Sequence, residues 1–237
     1  MIEEVTEQMY LKADGIAVGQ FVWAPVPHLE EVPRILEVER AAGEVHHASK
    51  FRVVQMTKDH FRARDKLPIA ALTLGNTEEL LISKAKKRPC LVICCNNTAF
   101  DDRPILDEVK GRKHLQDKSL LLVPLYGIAT PQDERGFPPK MVARIRVFLY
   151  SQFFYLPRKC TKGNYDFGQE GIARLDRIFA ASPSRGVESM GVRLAAEPLK
   201  LLMAQVCERF GTAEHDELRL VRQLLDSALP EDCRPVV

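Results

Sequence analysis

Pro89-Cys90-Leu91-Val92-Ile93-Cys94-Cys95 is an unbroken apolar run with β-branched members, preceded by the cations Lys87 and Arg88. It is too short for a buried helix and opens on proline, so it reads as a strand covered on both faces. Residues 119–126 (SLLLVPLY) form a second such run, with Pro124 marking an edge or bulge. A third strand is expected over 15–25 (GIAVGQFVWAP), bounded by glycine before and proline after. Shorter strands are expected over 51–57 (FRVVQMT) and 69–74 (IAALTL). Residues 26–50 show no clear period and read as an inserted excursion, and 98–118 reads as a polar loop or short helix. The first 14 residues look like a polar leader to the fold.

Helical spacing is confined to the C-terminal end. Leu199, Leu202, Met203, Val206 and Phe210 recur at i, i+3, i+4, i+7, with Pro198 in the first turn and Gly211 as the stop. Leu218, Val221, Leu225 and Ala228 mark a second helix. Its apolar stripe needs a partner, which makes a homodimer one expected assembly. The expectation is therefore a mainly β (α+β) chain, one domain over 1–237 with an insertion at about 26–86 and helices at about 196–228.

Composition sets bounds and little more. The 237 residues carry 34 Lys+Arg and 32 Asp+Glu, a net charge of +2, with 46% hydrophobic residues, which is ordinary for a globular chain. No apolar run approaches the roughly 18 residues of a membrane span, so no membrane partner is expected. The acidic start, Met1-Ile2-Glu3-Glu4-Val5, has no apolar core for a secretory signal. Six cysteines without C-x-x-C spacing suggest free thiols in a reducing cytoplasm. No Cys/His spacing suggests zinc, and no phosphate-loop or nucleophile-elbow motif occurs, so neither metal nor cofactor is expected.

Charge is unevenly spread. Residues 1–48 hold nine acids and three bases, whereas 135–165 hold seven bases, no acid and seven of the 17 aromatics. Cations for phosphates and rings for bases are what a single-stranded nucleic-acid site requires. The same composition also describes an amphipathic strand over 140–156 with its rings in a core and its bases in water. The two can coexist on opposite faces. Candidate RNA-binding cations are Lys87, Arg144, Arg146, Arg158 and Lys159.

Four pieces occur in a telling order: Gly19-Gln20-Phe21-Val22-Trp23, then Lys87-Arg88-Pro89-Cys90-Leu91-Val92-Ile93, then Leu121-Leu122-Val123-Pro124-Leu125, then Ile172-Ala173-Arg174-Leu175-Asp176-Arg177-Ile178 before the helix near Ala196. This order resembles the MazF/PemK family of toxin endoribonucleases, across about a quarter of the chain. The resemblance implies an SH3-like barrel that cuts single-stranded RNA without metal. In that chemistry the 2′-hydroxyl attacks the adjacent phosphate and leaves a cyclic phosphate. It also implies an antitoxin as partner. Arg88 matches the family's Arg before Pro, a phosphate ligand or acid; Arg174 and Asp176 match an Arg-x-Asp pair, ligand and base. Each has a plainer reading, as surface cation and surface ion pair. Tyr126 stands where the family has Thr or Ser, with Thr130 four residues on. That departure keeps a non-catalytic barrel binding nucleic acid or protein in view, beside a gyrase-poisoning toxin of the same fold. His28, His46 and His47 lie in the insertion; His60, His114 and His215 stand alone.

Overall fold

The structure, a computed structural model, describes residues 8–28, 31–40, 49–62, 74, 77–96, 118–128, 136–160, 162, 165–183, 186–211, 216–227 and 229–231. The strand expected over 69–74 and the segment 98–118 fall outside these residues, apart from 74 and 118, as do Thr130, His46, His47, His114, His215 and Ala228. The chain divides into two compact units, one of Met1–Pro25 with Lys87–Val237 and one of Val26–Lys86.

In chain order the strands are β1 (Tyr10–Lys12), β2 (Gln20–Pro27), β3 (Arg34–Arg40), β4 (Ser49–Gln55), β5 (Leu81–Ile82), β6 (Ala85–Asn96), β7 (Ser119–Gly127), β8 (Phe153–Leu156), β9 (Gly171–Arg174), β10 (Phe179–Ala181) and β11 (Glu188–Leu194). The helices are α1 (Pro139–Arg146), α2 (Ala196–Arg209) and α3 (Asp216–Asp226). The protein is mainly β, as its apolar runs foretold.

The larger unit is built on one sheet in the order β1-β11-β2-β6-β7-β9-β8, with β10 also pairing to β7. Among the described residues no ladder joins β1 to β8, so the sheet is not a closed barrel. Its two ends nevertheless meet through side chains. The buried Tyr10 hydroxyl donates to Pro157 O at 2.7 Å, just beyond β8. The Tyr10 ring packs edge-on against Phe21 and Phe167, at centroid distances of 5.9 and 4.9 Å. Residues 9–12 are therefore no leader: Met9 and Tyr10 are buried, and β1 pairs with β11. Three residues are too few to show a period, and their partner lies at the far end of the sequence.

The strand expected over 140–156 is instead helix α1 followed by β8. Pro139 occupies the first turn, where its missing N–H costs nothing, and Arg144 and Arg146 in the last turn suit the negative end of the helix dipole. The helix ends in a Schellman pattern, Phe148 N–H to Ile145 O and Leu149 N–H to Arg144 O. Phe148 takes the left-handed position at φ 56°, which most side chains avoid. Burial of its ring against Phe154, 5.1 Å away, offsets that strain.

Helix α2 buries Pro198, Leu201, Leu202, Gln205 and Val206, while Phe210 is 67% exposed at the C-cap. The buried face is thus rotated from the one its leucine spacing suggested. Gly211 ends the helix at φ +78°, as expected of a residue without Cβ. The wholly buried Gln205 donates to Tyr150 O at 2.7 Å and Phe153 O at 3.0 Å, and so pins the start of β8. Helix α3 buries Leu218 and Leu225, and its Arg222 grips Glu208 of α2 through both η nitrogens. No helix among the described residues is long and apolar enough to cross a membrane.

In the unit Val26–Lys86, β3 pairs antiparallel with β4 and β5 about the buried Ile35. β3 was missed because Ile35 and Leu36 are adjacent and blur the alternation that marks a strand.

Candidate functional site

Sheet register assembles the site. β6 and β7 pair as Cys90↔Pro124 and Leu91↔Val123. Continued outward, that register sets Arg88 across from Tyr126. The Arg88 guanidinium accordingly lies over the Tyr126 ring, 4.6 Å from its centroid. On the other side of β7, Leu125 pairs with Ala173 of β9, which brings Arg174 to within 5.6 Å of the same ring. Arg174 also lies over Phe153, its cross-strand partner on β8, at 5.4 Å. Two neighbouring strands thus deliver one guanidinium each to a tyrosine on the strand between them.

Asp176 sits in a 3-10 turn, Leu175–Arg177, directly after β9. Strand alternation therefore does not align it with Arg174, contrary to the sequence expectation. The turn does so instead. Arg174 holds Asp176 with two bonds, Nε to Oδ1 at 2.8 Å and Nη2 to Oδ2 at 2.5 Å, and Arg177 Nε stands 3.8 Å from Oδ2. Burial works to raise the Asp176 pKa, but the hydrogen bonds and charge of Arg174 outweigh it, and the carboxyl lies below its ordinary value.

Arg174 and Arg177 both stand against Asp176. Arg88 has no acidic partner among the described residues, so this corner of the sheet attracts anions. Beside it lies a cleft of about 160 Å³, lined by Arg88, Tyr126, Gly127, Phe167, Gln169 and Gly171. Cys90, two residues from Arg88, points into the core. Burial pushes its thiol up to about 12, against a smaller pull from Arg88, so it offers no nucleophile.

The other basic residues are largely neutralised. Lys87 pairs with Glu188 at 2.7 Å and Arg146 with Glu170 at 2.6 Å. Arg158 and Lys159 share Asp166 at 2.9 and 3.1 Å and border a separate cavity with Tyr155, Pro157 and Glu170. Arg144 stands in the last turn of α1. The acid-free stretch 135–165 is answered by Asp166 and Glu170 just past its end. Sequence reading missed Gln169 and Phe167, which enter the site only through the pairing of Gly127 with Gly171. No local signal marks them.

The Arg174–Asp176 pair predicts a pH dependence. Because the folded pKa is depressed, the pair stabilises fully above the unfolded carboxyl's ordinary value of about 3.9. That stability is lost as pH falls through the lower folded value. Urea unfolding should show wild type more stable than Asp176→Asn by about 1 kcal/mol at pH 7. The gap should close near pH 2; a gap unchanged at pH 2 refutes the pair's role.

No protein-family model matches the chain, and no curated protein matches it significantly.

Proposed function

We propose that the protein is a divergent MazF/PemK-like endoribonuclease that holds single-stranded RNA at the Arg88–Tyr126–Arg174 cluster and cuts it without metal. The observation that carries this reading is the Arg88 guanidinium, without an acidic partner among the described residues and stacked on Tyr126 at the mouth of the cleft. A guanidinium fork suits the non-bridging oxygens of a phosphodiester, and its charge counters the one that grows as the 2′-hydroxyl attacks. The Tyr126 hydroxyl supplies the donor that Thr or Ser would supply in the family. Asp176 holds Arg174 in place. An aspartate of depressed pKa is a weak proton acceptor, so turnover rests on positioning and charge and is slow.

The curled sheet, with its ends joined through Tyr10 and a helix following β11, supports reading the larger unit as an SH3-like barrel opened at one seam. An antitoxin would act by covering the cleft. The clamped Asp176 favours a second reading, in which the same cluster binds RNA and does not cut it.

The test is incubation with a 5′-labelled single-stranded RNA in EDTA. Products ending in a 2′,3′-cyclic phosphate, with new 5′-hydroxyl ends, are expected. Binding without products selects the second reading, and absence of binding overturns both.

A further inference from the structure

The turn at 166–170, between β8 and β9, is anchored at nearly every residue. Asp166 accepts from Arg158 and from the Gly168 amide at 2.7 Å. The Phe167 amide donates to Arg158 O at 3.1 Å, and its ring packs edge-on to Phe21 at 4.9 Å. The Glu170 carboxylate receives Arg146 at 2.6 Å, and its carbonyl accepts from the Ile128 amide at 3.0 Å. Burial, then the Glu170 charge, pushes the Tyr155 phenol well above its ordinary range, which keeps it a neutral neighbour of that carboxylate.

Gln169 is the exception. Its side chain has no hydrogen-bond partner among the described residues, is exposed, and lines the cleft beside Arg88 and Tyr126. It lies so close over Gly127 that a Cβ at that position would run into its amide. A fixed turn thus presents an uncommitted donor and acceptor to the space beside the phosphate-seeking arginine.

We infer that Gln169 reads one base of the bound RNA, adenine, through the paired donor and acceptor of its amide; this rests on the RNA site proposed above. A glutamine amide matches an adjacent acceptor and amino donor, and adenine offers such a pair on both its Hoogsteen and its Watson–Crick edge. Arg88 supplies sequence-independent affinity, and Gln169 supplies the choice of base. In single-stranded RNA the base edges are free to turn toward such a side chain.

The experiment measures binding of short single-stranded RNAs, randomised in sequence, to wild type, Gln169→Ala and Gln169→Glu. Wild type should favour adenine at one position by about tenfold. Gln169→Ala should reduce that preference to about twofold or less, through an about fivefold loss of affinity for RNAs with adenine at that position. Gln169→Glu should shift it toward guanine, whose N1–H and N2 amino group present two adjacent donors to a carboxylate. A purely structural role for Gln169 would not move the preferred base. Retention of the full adenine preference in Gln169→Ala, or wild-type binding with no base preference, overturns the inference and leaves the RNA site standing. Absence of any RNA binding by wild type removes the site and the inference together.

Discussion

Replacing Arg88 by alanine is expected to cut the cleavage rate by about 10²–10³-fold, the loss typical of removing one donor aimed at developing charge. Affinity for uncleaved RNA should fall as well, and the dependence of binding on salt should flatten by roughly 0.7 in log–log slope for one lost phosphate contact. Arg88→Lys should restore part of the affinity and little of the rate, since an ammonium cannot present a planar fork. The fold should survive, because Arg88 makes no ion pair among the described residues and its stacking on Tyr126 is worth about 1 kcal/mol. Arg158→Ala and Lys159→Ala are the informative comparisons. Their charges are bound to Asp166, whose carboxyl the Arg158 hydrogen bonds hold well below the ordinary range, so they should change binding only a few-fold. Parallel binding and single-turnover assays decide the matter; equal activity of Arg88→Ala and wild type would reject the assignment.

Phe154→Ala is expected to destabilise the protein by about 3–5 kcal/mol in urea unfolding. The ring is fully buried on β8, packed against Phe148, and its strand is pinned by Gln205 on one side and β9 on the other. The same strand carries Phe153, which backs Arg174, so residual folded protein should also bind RNA poorly. Trp23→Ala supplies the contrast. Trp23 is 38% exposed, and its removal should cost about 1 kcal/mol. A loss below about 1 kcal/mol for Phe154→Ala would mean that β8 is not part of the cooperative core.

The strands legible in sequence were those whose signal is local. β6 and β7 are long apolar runs, and the C-terminal helices carry their own spacing and stops. Helix α1 was misread because its apolar residues, Met141, Val142 and Ile145, fit a strand about as well as a helix when mixed with bases and flanked by aromatics. Pro138 at the N-cap and Pro139 in the first turn are the signal that favours the helix. β1 and β10 have three residues each and exist only because a distant strand offers a ladder. Of the candidate site, Arg88, Tyr126, Arg174 and Asp176 could be named only through the resemblance, from the Arg-Pro strand, the strand that runs into Tyr126 and the Arg-x-Asp pair. Their convergence on one ring needed the β6–β7 and β7–β9 registers, and Gln169 needed the turn between β8 and β9. The pairing of Arg158 and Lys159 with Asp166 was written one residue beyond the stretch whose lack of acids drew attention.

The place of β11 in the sheet has a consequence for how the protein is made. It lies between β1 and β2, with Tyr10 opposite Leu194 and Val22 opposite Ser189. β1 and β2 therefore lack the strand that lies between them until the ribosome has passed Leu194. At about 5–20 residues per second that interval is roughly 10–40 s. Throughout it Tyr10 and Phe21 remain out of their native setting, and β2 exposes one bare edge. β1, made before every other described strand of this sheet, is thus among the last of them to be seated.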